Sequence, residues 1–97
     1  MPMYVVLYKW TEQGIKNVKD SPARAEASIK AAEAAGSKVI GLWYTIGEYD
    51  MVAVVEVANE QSAIALLLAQ AAQGFLRTTT LPARTPAEFA EIVKMLP

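Results

Sequence analysis

The first ten residues carry the hydrophobic pattern of a strand that is covered on both sides. Residues 3–10, MYVVLYKW, are largely β-branched and aromatic, and these residue types are enriched in strands. Successive side chains of a strand point to opposite faces, and both alternating sets are mainly apolar here. The pattern therefore predicts a central strand, with helices on one face of its sheet and a second apolar layer on the other.

Cap and turn residues divide the middle of the chain into two helices and three strands. Ser21-Pro22 joins an N-cap residue to a proline at the first helical position, and Gly36 is suited to end that helix. Asn59 and Gly74 bound a second helix made almost entirely of alanine and leucine, which predicts burial on more than one side. The predicted strands cover residues 37–46, 50–57 and 75–81.

The terminal helix has the clearest local signals in the chain. Thr85-Pro86-Ala87-Glu88 is a capping box with proline at the first helical position. The apolar residues that follow are spaced i, i+3, i+4 and i+7, which places them on one helical face. They are Phe89, Ile92, Val93 and Leu96.

The order of the elements predicts the fold class. The order β-α-β-β-α-β plus a terminal helix is the ferredoxin-like split βαβ of α+β proteins, with a four-stranded antiparallel sheet ordered 4-1-3-2. We expect one domain, residues 1–97. Hydrophobic residues make up 54% of the chain, which favours a self-association surface. A second copy covering the bare sheet face would give a homodimer, a dimeric α/β barrel, and a higher homo-oligomer is the alternative.

Composition removes several classes of function. Cysteine and histidine are absent, so thiolate nucleophiles and the commonest general base are missing, and we predict no metal or cofactor. Dispersed charges with a net charge of -1 argue against nucleic acid. No signal peptide is apparent, and the longest apolar run, residues 63–72, is about half of a membrane span. We expect a soluble cytoplasmic protein without a membrane partner.

One end of the predicted sheet gathers the polar and aromatic residues that could form a site. It holds the end of the first strand, the 47–50 turn and the start of the fourth strand, and the candidate ligand-binding residues there are Trp10, Tyr49, Asp50 and Arg77. An arginine fork matches a carboxylate, so Asp50 and Arg77 form either a structural pair or a site for a third group. In the second case Arg77 would hold an anion, or Asp50 would act as a general base.

The chain resembles the GYD-domain family. The Gly-x-Tyr-Asp motif of that family is present as Gly47-Glu48-Tyr49-Asp50, and further agreement is spread along the chain. The agreeing residues include Tyr4-Val5-Val6-Leu7, Thr11, Gln13, Gly14, Ser21-Pro22, Arg24, Gly74, Arg77-Thr78 and Thr80. The resemblance implies a dimeric α/β-barrel fold and implies no particular reaction. The chain departs from the family pattern at Ala58-Asn59 and within residues 75–79, where Phe75 and Thr79 make this end of the sheet less polar.

Three hypotheses of function follow from the sequence. The leading one is a small organic ligand, aromatic or anionic, in a mostly apolar pocket at the Tyr49, Asp50 and Arg77 end. The second is a cofactor-independent oxygenase or isomerase that uses Asp50 as its base. The third is a self-assembling or partner-binding protein that associates through the apolar helix at residues 60–73.

Overall fold

The chain folds around one antiparallel sheet with two long helices on one face. A computed structural model describes all residues, 1–97. The elements are β1 (Met3–Trp10), α1 (Glu12–Lys16), α2 (Ser21–Ala34), β2 (Lys38–Tyr44), β3 (Met51–Glu56), α3 (Glu60–Ala72), β4 (Leu76–Ala83) and α4 (Pro86–Val93), with a 3-10 turn at Val18–Asp20. The sheet order β2-β3-β1-β4 confirms the predicted ferredoxin-like α+β fold.

Most of the predicted helix boundaries are confirmed by their hydrogen bonds. The Asn59 side chain accepts from the Ser62 backbone N–H, and Thr85 forms the complete capping box with Glu88. The Thr85 backbone N–H and, to a lesser degree, its side chain lower the pKa of the Glu88 carboxyl. Gly36 follows the end of α2 with a φ of 88°, the left-handed conformation that favours glycine.

The predicted N-cap at Ser21 is wrong. The 3-10 turn before α2 runs directly into the helix, so Ser21 is already helical and Asp20 stands at the cap without a side-chain hydrogen bond. The Ser21 side chain is instead buried, with its hydroxyl 2.9 Å from that of Tyr44 on β2. Ser21 therefore ties α2 to the edge of the sheet.

The helix-facing side of the sheet forms the core. Val6 and Tyr8 of β1 are buried there together with alternate residues of β3. The β3 residues of this face are Met51, Ala53 and Val55. Ala63 of α3 closes the same cluster. This side of the sheet is therefore covered as the sequence pattern predicts.

The opposite side of the sheet, which we call the outer face, is apolar and uncovered. The strand registers place together on it the apolar side chains of Met3, Val5, Leu7, Trp43, Val52, Val54 and Leu81. The same face also carries the polar side chains of Lys9, Glu56, Arg77 and Thr79. None of these residues belongs to the core cluster, and Trp43 and Leu81 are 52% and 46% exposed. A single chain thus leaves half of its sheet surface open to solvent.

Helices α3 and α4 are less buried than their apolar composition predicts. In α3 only Ala63 is buried, and Ile64 and Leu68 are 49% and 64% exposed, so the prediction of burial on several sides is wrong for the single chain. Beyond β4, every residue from Arg84 to Pro97 is exposed. The helix α4 therefore projects from the sheet rather than packing on it.

The molecule is more extended and exposes more surface than a compact domain of the same length. The radius of gyration is 14.7 Å, whereas a compact domain of this length has about 12.5 Å. The accessible surface is 6484 Å², about 1,000 Å² more than the surface expected for a compact monomer of this mass. No helix has the length and apolar character required to cross a membrane.

Candidate functional site

Two hydrogen bonds from Thr45 hold the Gly-x-Tyr-Asp turn together. Gly47 has a φ of 131°, which a residue with a side chain rarely adopts. The backbone N–H of Thr45 donates to the carbonyl of Asp50 at 2.9 Å, and the Thr45 hydroxyl donates to the carbonyl of Tyr49 at 2.6 Å. The turn is therefore a closed hairpin connection between β2 and β3.

Asp50 joins this turn to the central strand. Its backbone N–H donates to the carbonyl of Tyr8 at 2.8 Å, and its Oδ2 atom accepts a hydrogen bond of 2.8 Å from the backbone N–H of Trp10. The carboxylate thus satisfies a backbone donor at the place where β1 leaves the β3 ladder. A charge-assisted hydrogen bond of this kind is stronger than one between neutral groups.

Arg77 does not pair with Asp50. Its Nη1 atom donates to the carbonyl of its own neighbour, Leu76, and all three ion pairs of the chain lie elsewhere. Of the two alternatives for these residues, the direct pair is not formed, because β1 separates them and Lys9 lies in register opposite Arg77. Lys9 and Arg77 therefore place two cations side by side on the outer face, an unfavourable arrangement without an acidic partner.

The aromatic candidates are divided between the two faces. The Trp10 ring stacks on that of Tyr44 at 6.3 Å on the helix side. The Lys9 ammonium lies 5.2 Å from the centre of the Tyr49 ring, a cation–π contact. The structure thus brings Trp10 and Asp50 together, places Tyr49 beside Lys9, and leaves Arg77 apart.

The groove at this end of the sheet is polar, where the sequence predicted a mostly apolar pocket. The groove beside Arg77 is a wide, open depression of about 530 Å³ that no hydrophobic residue lines. Its lining residues are Thr11, Glu12, Gln13, Lys16, Gly74 and Arg77. Tyr49, Asp50 and Trp10 do not reach it, and a ligand site formed by all four candidates stays a prediction.

A cleft between α2 and α3, absent from the sequence prediction, contains a half-buried cation. The guanidinium carbon of Arg24 lies 4.0 Å from the centre of the Phe75 ring, and Nη1 donates to the carbonyl of Asn17. Nη2 is buried and has no protein acceptor. Arg24, Ser28 and Gln70 line both an inner cavity of about 30 Å³ and an outer depression of about 300 Å³.

Tyr8 forms the floor of this cleft. Its side chain is buried in the core, and its hydroxyl donates to Oε1 of Gln70 at 3.3 Å. Burial raises the pKa of Tyr8, and the hydrogen bond with Gln70 offsets part of the rise. The sequence prediction missed this cleft, although two features of the sequence are consistent with it. Gln70 is a polar residue in an apolar helix, and Arg24 and Ser28 lie four residues apart on one face of α2.

Replacing Asp50 tests its structural role. In Asp50→Ala the partly buried Trp10 N–H loses its acceptor, which costs about 1–3 kcal/mol. Asp50→Asn keeps an acceptor oxygen, so we expect a clearly smaller loss. Urea unfolding measures both changes, and amide hydrogen exchange reports on Trp10 itself. Equal stability of the two variants would contradict this assignment.

Replacing Tyr8 tests the effect of its burial on the pH dependence of stability. Because the pKa of Tyr8 is raised in the folded chain, its contribution is complete below the unfolded value of about 10 and decreases as the pH rises towards the folded value. We expect the free energy of unfolding to fall more steeply in the wild type than in Tyr8→Phe between about pH 9 and 11. Urea unfolding at each pH measures the slopes, and pH 7 serves as the reference. Equal slopes would show that Tyr8 titrates normally.

Comparison with known proteins places the chain in a family. It is similar to a Thermus thermophilus protein named "Glutamine synthetase and cystathionine beta-lyase binding protein", with 28% identity over 95 residues, 97% of this chain and 100% of that protein. No solved structure matches the chain significantly. The family model described as "GYD domain" matches residues 4–93. The chain therefore belongs to the GYD-domain family, as the resemblance of its sequence indicated.

Proposed function

We propose that this GYD domain is a homodimeric protein-binding module rather than a catalyst. The observation that carries the proposal is the outer face, an uncovered apolar sheet surface opposite a complete core. Contiguous apolar surface of this kind marks an interface. Val54 lies near its centre, in register with Val5 of β1 and Gly41 of β2.

The excess exposed area of the chain is large enough for a protein interface of standard size. A standard protein interface removes about 800 Å² from each partner, and this chain exposes about 1,000 Å² more than a compact monomer of its mass. A second copy that pairs its own outer face with this one would cover the excess in a closed two-fold dimer. Two copies of the chain are sufficient to form this dimer.

The relative supports binding to other proteins. The Thermus thermophilus protein is named for binding two enzymes, glutamine synthetase and cystathionine beta-lyase. Its similarity extends over almost the whole of this chain, so the surfaces available for binding have the same framework. We extend to this chain the ability to bind an enzyme, with the exposed Ile64 and Leu68 of α3 as the apolar anchors.

The geometry gives less support to catalysis or to a large ligand. A drug-sized ligand occupies a pocket of about 300–1,000 Å³ lined mainly by apolar groups. The enclosed cavity here is about 30 Å³, the outer depression between α2 and α3 is about 300 Å³ but only half of its lining residues are hydrophobic, and the groove at Arg77 is open and polar. The Asp50 carboxylate, the candidate base, already accepts the Trp10 N–H. An oxygenase or isomerase activity stays a prediction.

Changing one residue of the outer face tests the dimer. Val54→Lys places a charge in the proposed interface, where burial of an unpaired ammonium is costly, yet in a monomer the lysine would reach water. We expect the wild type to sediment as a dimer and the variant as a folded monomer. Ala34→Lys, at an exposed position of α2, is the matched control. A monomeric wild type, or a dimeric Val54→Lys protein, would contradict the proposal.

Binding of an enzyme partner is tested with the wild type and one variant of α3. Purified glutamine synthetase and cystathionine beta-lyase from the organism that encodes the chain are each titrated by surface plasmon resonance. We expect the wild type to bind at least one of them and a variant carrying Leu68→Lys to bind more weakly. Binding of neither enzyme would contradict the extension from the relative.

A second candidate function is the binding of a small anion at Arg24. The specific observation that favours it is the buried Nη2 atom without a protein acceptor, beside Ser28, Gln70 and Gln73. Arginine binds carboxylates in a bidentate fork, and the cavity admits only a very small group.

Thermal unfolding with added formate at constant ionic strength tests this candidate. We expect formate to raise the melting temperature of the wild type and not of Arg24→Met, because a ligand that binds the folded state stabilises it. Lys16→Met, which removes an exposed cation, should retain the effect. An equal response in all three proteins would indicate a nonspecific salt effect.

A further inference from the structure

The helix α4 is fully formed but has no packing partner within the chain. It begins with a complete capping box at Thr85, and its apolar stripe of Phe89, Ile92 and Val93 is between 42% and 58% exposed. Leu96, predicted on the same face, lies beyond the end of the helix and is 69% exposed. An isolated helix of this length is marginal in water, and packing of an apolar face supplies most helical stability in proteins. The apolar stripe of α4 therefore requires a surface outside its own protomer.

The polar side of α4 shows how the helix is oriented towards such a surface. Glu91 and Lys94 form an exposed ion pair at 3.0 Å, and by helical geometry they lie opposite the apolar stripe. One side of the helix is thus suited to solvent and the other to an apolar partner. The same chain offers such a partner in its outer face, which is uncovered and apolar.

We propose that α4 is an arm that crosses to a second copy of the chain and lays its apolar stripe against the edge of that copy's outer face. This inference rests on the proposed homodimer. The chain's own sheet is not the surface, because every residue from Arg84 to Pro97 is exposed while β4 ends at Ala83, close by in sequence.

A second copy is the occupant that explains both open surfaces together. The helix and the outer face are both uncovered in one chain, so in a two-fold dimer each arm covers the partner and the exchange is reciprocal. The excess exposed area of about 1,000 Å² per chain, which includes both surfaces, is close to the share of about 800 Å² that each partner contributes to a standard interface. The exposed side chains of Trp43 and Leu81, at the two edge strands of the sheet, are the apolar groups available to receive the arms.

The first test is the double variant Phe89→Ala with Ile92→Ala in the full-length chain. Alanine is the best helix former, so the helix itself is not weakened, and in a free protomer both changed residues are exposed. We expect the dimer Kd, measured by sedimentation equilibrium, to rise by about tenfold or more. Glu91→Ala, on the opposite side of the same helix, is the matched control and should leave Kd unchanged.

The outcomes separate this inference from the proposed function. A wild-type dimer whose Kd is unchanged in the double variant overturns the arm and leaves the dimer in place. A monomeric wild type overturns both. A selective rise in Kd for the double variant, with Glu91→Ala unaffected, supports the arm.

A cross-linking experiment identifies the occupant directly. Because the chain has no cysteine, one affinity-tagged chain carrying Val93→Cys and one untagged chain carrying Thr79→Cys can be mixed and treated with a short bismaleimide. We expect a cross-linked product that contains one chain of each kind, formed between α4 and the outer face. In a single chain carrying both cysteines, efficient cross-linking that persists at dilutions where the dimer dissociates would overturn the proposal, because the arm would then lie on its own sheet.

Discussion

Apolar side chains on both faces of one four-stranded sheet are the constraint on which the rest of this structure depends. Helices α2 and α3 cover one face and enclose Tyr8, Met51 and Val55 in the core. The connections of the ferredoxin-like fold place both long helices on that same side. Helix α4 projects away from the sheet, so no element of the chain covers the other face. The outer face therefore remains exposed to solvent in the single chain.

The Gly-x-Tyr-Asp turn has a structural role that its sequence alone does not reveal. Glycine allows the positive φ of the hairpin, and Asp50 accepts the Trp10 N–H where the central strand departs from its neighbour. The motif therefore closes one end of the sheet and holds β1 against β3. A short motif with two conspicuous side chains invites a catalytic interpretation, but here the geometry accounts for the aspartate through the backbone donor that it satisfies.

The interior offers little room for a substrate, and the surface offers much room for a partner. The enclosed cavity beneath Arg24 has about the volume of a water molecule. In contrast, apolar side chains of the outer face, of the exposed side of α3 and of one side of α4 are open to solvent. This distribution of apolar surface supports the proposed binding of other proteins, and the Thermus thermophilus relative is named for binding two enzymes.

The sequence by itself determined the element order, the sheet order and the caps at Asn59 and Thr85, because these depend on local periodicity, capping chemistry and chain connectivity. It also determined that both sheet faces are apolar. Only the tertiary structure decided which polar groups meet. Sequence position placed Asp50 and Arg77 at one end of the sheet, but the intervening β1 supplied a backbone donor to the first and a neighbouring cation to the second. The placement of Arg24 and Tyr8 beside Gln70, and the projection of α4 away from the sheet, likewise depend on how distant segments pack. A local sequence pattern does not determine which distant segments come into contact.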